Sequence, residues 1–228
     1  MTSHARHLLS QQGPFAQAFN NYQERQSQLA MAEAVERALS AEKQLLVEAG
    51  TGTGKTFAYL IPAIELDGKS IVSTGTKNLQ DQLFYKDLPT VFKVIGKTRK
   101  VALLKGRQNY LCLHRMDFNL QTARFTTKDT LEQIVKVRQW SETTKDGDLS
   151  QVNFLQDDSS ALPFVTSTAD NCLGNDCPSF SDCFVAKARR HAMDSDIIVI
   201  NHHLLMADLV LKEDGFGELL PKADAYII

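Results

Sequence analysis

The sequence has no apolar run long enough to cross a bilayer. Its longest, Phe57 to Ile64, covers eight residues with a proline among them, against roughly 18 needed, so a membrane-spanning protein is excluded. Glycine and proline are scarce, 12 and 6 residues in 228, which rules out collagen-like and low-complexity chains. Hydrophobic residues at 43% and charged residues at 23% exclude a disordered tail. The first thirty residues carry His4, Arg6 and His7 but no long apolar stretch, so no secretory signal is expected and the compartment implied is the cytoplasm. Net charge is nearly absent, 25 basic against 27 acidic residues, and argues neither for nor against nucleic acid. The distribution says more. No acid occurs between Leu88 and Met116, a stretch that holds Lys93, Lys97, Arg99, Lys100, Lys105, Arg107 and Arg115, whereas the charges from Glu142 to Asp158 are mostly acidic, five against one lysine. One reading of the basic block is a phosphate-facing surface. The other is a solvated face whose counter-charges lie elsewhere in space.

What is present suggests about one and a half domains, since a domain takes about 150 residues. An amphipathic helix is predicted from Ser27 to Leu39, with Leu29, Ala32, Val35 and Leu39 on one face. Short apolar runs follow at Leu45–Val47, Ser70–Val72, Val101–Leu104, Ile197–Ile200 and Ala225–Ile228. Continuously apolar strands separated by helices predict an α/β domain with a parallel sheet and helices on both faces. The spacing breaks between Leu104 and Ile197, a gap too long for one crossover. It contains a predicted helix (Thr130–Trp140), the acidic loop and three of the four cysteines, and reads as an inserted, mainly helical subdomain.

The run Leu45–Val47 leads into Glu48-Ala49-Gly50-Thr51-Gly52-Thr53-Gly54-Lys55-Thr56, and a helix follows. This is the phosphate-loop pattern, with alanine where glycine is usual. Glycines let backbone N–H groups wrap a polyphosphate, and the helix amino end adds its dipole. Lys55 then reaches the terminal phosphates and the Thr56 hydroxyl ligates Mg²⁺. The bland alternative is a glycine-rich turn. Pro62 in the following helix predicts a kink beyond the phosphate site.

Cys112, Cys172, Cys177 and Cys183 leave no cysteine over. A disulfide framework does not suit a chain with a nucleotide loop and no secretory signal. Structural zinc sites show paired C-x₂₋₄-C knuckles, and no second pair exists here. One distant cysteine and a cluster of three suit a cubane iron–sulfur cluster. Zinc and unligated thiols remain the alternatives. His202 and His203 stand in no ligand-spaced pattern and read as loop-packing or hydrogen-bonding residues.

These motifs in this order resemble the DinG/YoaA-type iron–sulfur DNA helicases of superfamily two, bacterial relatives of XPD, the YoaA branch most of all. Tyr22 to Gln28 resembles the family's Q motif, which implies that Gln28 reads adenine. Glu48 to Thr56 resembles motif I, which implies ATP bound through Ala49, Gly50, Thr51, Gly52, Thr53, Gly54, Lys55 and Thr56. Ser73 to Leu83 resembles motif Ia, a single-strand backbone contact. Leu104 to Cys112 resembles the entry to the cluster domain, with the three later cysteines as the remaining ligands of a [4Fe-4S] cluster. Asp196 to Leu205 resembles the strand and loop before motif II. Thr76, Lys77 and Gln80 at a strand's carboxyl end suit phosphate oxygens. Lys105 and Arg107 in the acid-free stretch suit a nucleic-acid channel. Tyr110 suits base stacking or a core position equally.

The resemblance implies a first RecA-like P-loop NTPase domain over 21–106 and 190–228, an iron–sulfur insertion over 107–189, and an extension over 1–20. It implies ATP, Mg²⁺ and a [4Fe-4S] cluster as cofactors, with single-stranded DNA and a replication or repair protein as partners. The acidic D-E-A-H box would follow Ile228, so the domain is expected to be incomplete at its carboxyl end and the chain a fragment. Two functions follow: the ATP-binding and cluster-bearing part of a 5′→3′ DNA helicase, or a stand-alone, non-hydrolysing iron–sulfur module that binds nucleotide or DNA.

Overall fold

The computed structural model describes residues 3–123, 125, 127–156, 158–214 and 219–228; Asp157 of the acidic stretch lies outside them. The chain forms two compact units. The first runs to Leu103 and resumes at Ala192; the second is Leu104–His191. The second therefore begins three residues before the expected insertion and ends two after it. Among the described residues no helix is long and apolar enough to cross a membrane.

In chain order the elements are α1 (His4–Leu8), α2 (Pro14–Ala18), α3 (Gln26–Ser40), α4 (Lys55–Glu65), β1 (Ser70–Thr74), α5 (Lys77–Gln82), α6 (Leu88–Ile95), β2 (Val101–Leu103), α7 (Leu113–Thr122), α8 (Lys128–Ser141), α9 (Leu162–Val165), α10 (Phe184–Met193), β3 (Ile197–Asn201), α11 (His202–Glu213) and β4 (Ala225–Ile227). Among the described residues the strands make one parallel sheet in the order β2-β3-β1-β4. Ile71, Val72 and the whole of β3 are buried, as expected of parallel strands covered by helices. Two carboxylates pin the amino ends of the strands. Asp196 accepts from the Lys100 N–H at 2.9 Å, and Asp224 accepts from the Lys69 N–H at 2.7 Å. The Lys100 N–H, and after it Arg99, hold the Asp196 carboxyl below its ordinary range. α4 runs through Pro62, whose carbonyl accepts from Leu66 N–H at 3.0 Å.

Two expectations need correction. Leu45–Val47 is not a strand: residues 43–50 carry no regular structure, and Leu46 is 98% exposed. β4 is laddered to β1 alone. A three-residue run with no strand alongside it among the described residues does not recover the roughly 1–2 kcal/mol per residue that ordering it costs. Nor are residues 1–20 an appendage. Ala5, Leu8, Leu9 and Phe15 belong to the same core as Leu29, Ala32, Leu60 and Ile64, and Tyr22 donates its hydroxyl to the Leu9 carbonyl at 2.6 Å.

The second unit is mainly helical around its own core of Tyr110, Leu111, Met116, Ile134, Val137, Leu149 and Val165. Tyr110 thus takes the core position rather than a stacking one. Its hydroxyl accepts from the Lys105 N–H at 3.1 Å. The Lys105 ammonium is 2.7 Å from Asp148, with side chains 1% and 5% exposed, and also meets Ser150 Oγ at 3.0 Å.

Candidate functional site

The phosphate loop ends where α4 begins. Gly52 and Gly54 have φ of +76° and +84°, a conformation glycine adopts without strain. Four of the loop carbonyls are held by side-chain donors. Lys55 Nζ reaches Ala49 O at 2.7 Å and Gly50 O at 2.6 Å, Thr53 Oγ1 reaches Gly50 O at 2.9 Å, and Gln28 Nε2 reaches Gly54 O at 2.9 Å. Arg25 donates to Gly52 O. With the carbonyls engaged, the N–H groups of the loop and of the first turn of α4 are the ones left to meet an anion. The first turn of α4 carries no acid. Thr56 lies beside Tyr59, whose hydroxyl burial pushes up to about 12 despite that contact. A Cβ on Gly54 would land on the Gln28 amide, whereas Gly50 has open space around it. Gly54→Ala should therefore lower stability by about 1–2 kcal/mol and weaken nucleotide binding, while Gly50→Ala leaves stability unchanged. Thermal melts and nucleotide titrations of the two variants check this.

At the carboxyl ends of β1 and β3 a second group of polar residues gathers. Thr76 caps α5 by accepting from Leu79 N–H at 3.2 Å, and Asn201 caps α11 by accepting from Leu204 N–H at 2.9 Å. Ser73 Oγ and His202 Nδ1 are 2.7 Å apart, a bond that ties the two strand ends together. Thr76 and Lys77 are exposed. In parallel sheets this carboxyl edge is where ligands bind.

The four cysteines all lie in the second unit and line one cavity of about 380 Å³. Cys112 precedes α7, Cys172 and Cys177 flank a short turn at Gly174–Asp176, and Cys183 precedes α10. Cys172 is exposed and the others are half-buried. Arg107, Arg115, Arg189 and Arg190 line the same cavity, and among the described residues no carboxylate does. Burial pushes the Cys112 thiol up, opposed by the Arg115 N–H and the Ser167 hydroxyl; the Cys177 and Cys183 thiols add to the rise. Burial and then Arg107 lower Arg189, while the Cys172 and Cys183 thiols oppose them. Among the described residues no three His, Cys, Asp or Glu side chains converge closely enough to hold one metal ion.

A family profile described as DEAD/DEAH box helicase matches residues 28–155, more than half of the chain. The chain belongs to the DEAD/DEAH box helicase family. It is similar to the ATP-dependent DNA helicase YoaA of Escherichia coli, 52% identical over 94% of this chain and 34% of that protein. Against YoaA of Haemophilus influenzae it is 49% identical over 96% of this chain and 34% of the relative. The ATP-dependent helicase DinG of Mycobacterium tuberculosis is 36% identical over 82% of this chain and 32% of its own length. The chain thus spans about a third of the length of these curated relatives. The parallel α/β sheet of the first unit is the RecA-like helicase fold.

Several side chains singled out in the sequence already have protein partners in the structure. Gln28 is buried under the loop with its amide on Gly54 O, because a buried amide must find a partner. Gln80 is fully buried and donates to the Val199 carbonyl at 3.2 Å, so it braces β3 rather than meeting a phosphate. Lys105 is sealed against Asp148 and does not face a nucleic acid. Arg107 lines the cysteine cavity and reaches the Thr168 carbonyl at 3.5 Å. The acid-free stretch is therefore not one continuous track. Lys97 pairs with Glu65 at 3.5 Å and Arg99 with Asp196 at 3.3 Å, so these two charges are met by acids from distant sequence. Arg25 on the loop, the Ser73–His202 bond and the arginines around the cysteines went unread in the sequence. Arg25 alone had a local signal, since it stands in the Q-motif stretch.

Proposed function

We propose that this chain is the nucleotide-binding and cluster-bearing part of an ATP-dependent DNA helicase that moves 5′→3′ on a single strand in repair or under replication stress. The observation that carries the reading is the phosphate loop, Ala49 to Thr56, at the amino end of α4. Lys55 would stabilise the terminal phosphates and Thr56 would hold Mg²⁺. Thr76 and Lys77, exposed at the carboxyl edge, would position the strand backbone without reading sequence.

Cys112, Cys172, Cys177 and Cys183 would hold a [4Fe-4S] cluster, which when bound supplies one-electron redox capacity and cross-links the second unit. Four thiols around a wide cavity support this over zinc. A tetrahedral ion with Zn–S of about 2.3 Å would draw the sulfurs to about 3.8 Å from one another, and these do not converge. The arginine-lined, acid-free wall suits an anionic, thiolate-held group.

These residues would bind ATP and single-stranded DNA weakly without turning ATP over. Hydrolysis requires an acid at a strand's carboxyl end, and Asp196 and Asp224 sit at amino ends, bonded to Lys100 and Lys69.

One anaerobic preparation tests the proposal. It should contain about four iron and four sulfide per chain, and Cys177→Ser should lose both along with part of the fold, because metal-binding energy is folding energy. The same protein should bind single-stranded oligonucleotides of any sequence with an affinity that falls as salt rises. Stoichiometric zinc without sulfide would remove the cluster, and salt-insensitive binding would remove the backbone contact.

A further inference from the structure

The wall of the four-cysteine cavity, next to Cys112, contains a donor that its surroundings leave unused. Arg115 lines the cavity, in the first turn of α7 after Cys112. Its Nε is closed off from solvent and meets no acceptor among the described residues. Interiors rarely leave such a group unpaired, because it has lost its water without replacement. The surrounding wall offers Arg107, Arg189 and Arg190 but no carboxylate, so the acceptor is not an acidic side chain. What the wall does offer is sulfur, and the nearest in sequence is Cys112, three residues before Arg115.

We propose that Arg115 is a positioning residue for the iron–sulfur group, donating its Nε–H to a sulfur of the cluster or of its Cys112 ligand and thereby raising the cluster's reduction potential. This rests on the iron–sulfur reading above. An N–H···S bond draws electron density from sulfur and favours the more negative, reduced cluster; hydrogen bonds to sulfur are among the factors that set cluster potentials. The guanidinium charge acts in the same direction, so donor and charge have to be separated.

Two variants separate them. Arg115→Gln keeps an N–H the same number of bonds from Cα as Nε and removes the charge. Arg115→Met has similar length and removes both. The anaerobically prepared chain and both variants are titrated with dithionite as the electron donor, and the one-electron-reduced cluster is followed by its paramagnetic resonance signal. The expected result is a lower midpoint potential in Arg115→Met and a distinctly smaller fall in Arg115→Gln, which loses the charge and keeps the donor. Equal potentials in all three overturn the proposal. An equal drop in both variants assigns the effect to charge and overturns the hydrogen bond. Where a variant assembles no cluster, iron and sulfide content decides: loss in the Met variant with retention in the Gln variant supports the bond, and loss in the Gln variant overturns it. An unmodified chain without iron and sulfide defeats the iron–sulfur reading and this proposal together. A loaded chain whose potential does not move defeats the hydrogen bond alone.

Discussion

Asp148→Ala should destabilise the Leu104–His191 unit by about 3–5 kcal/mol, the usual cost of leaving one partner of a buried ion pair uncompensated. The Lys105 ammonium and the Asp148 carboxylate are 2.7 Å apart with side chains 1% and 5% exposed, so water screens neither. Asp148 also accepts from Ser150 N–H at 3.0 Å and Ser150 Oγ at 2.8 Å, and its loss removes those bonds too. Removing both charges is a different matter. The double variant Lys105→Met, Asp148→Leu should recover much of the loss, because an apolar pair of similar volume carries no desolvation penalty. The single tryptophan, Trp140, lies on α8 and packs against the second unit's core. Its fluorescence in a urea titration therefore reads this unit selectively. An Asp148→Ala midpoint equal to that of the unmodified chain would mean that the pair is neither dry nor coupled.

Lys55→Ala should reduce ATP affinity roughly ten- to a hundred-fold while the fold stays intact. A charge-assisted contact contributes roughly 1.5–3 kcal/mol, and each 1.4 kcal/mol is about tenfold in affinity. Lys55 is half-buried at the first position of α4, and its ammonium meets only the loop carbonyls of Ala49 and Gly50 in its described hydrogen bonds. Exchange of those carbonyls for phosphate oxygens uses the same ammonium hydrogens, and the carbonyls can turn to water. Titration with a fluorescent nucleotide, beside a far-ultraviolet dichroism spectrum, checks both halves. Unchanged affinity would mean that the loop does not cradle phosphate. A changed spectrum would mean that Lys55 holds the loop rather than the ligand.

The readable parts of this chain were those whose cause lies within a few residues. The apolar runs at Ser70–Val72, Val101–Leu104, Ile197–Ile200 and Ala225–Ile228 correspond to the four strands, and the helices predicted at Ser27–Leu39 and Thr130–Trp140 lie inside α3 and α8. The phosphate loop was legible because its chemistry is local: glycines where φ is positive, a lysine and a threonine at the start of the helix. Leu45–Val47 shows the limit of such reasoning. It has a strand's composition, but a strand also needs a neighbour to bond with, and none lies alongside it.

By itself, then, the sequence determined the α/β class, the helicase family, the phosphate loop and the count of four thiols. Each follows from residue types at short spacing or from their order along the chain. Only the tertiary structure decided the fate of individual charges. Lys105 and Asp148 are 43 residues apart, and Arg99 finds Asp196 almost a hundred residues on. A basic stretch that reads as one surface is thereby divided among separate partners. The structure also decided that Gln80 braces β3 and that Arg107, Arg115 and Arg189 join the cysteines in one cavity. Partnerships of this kind depend on which elements pack together, and a charged or amide side chain that loses water must take whatever partner the packing brings within reach.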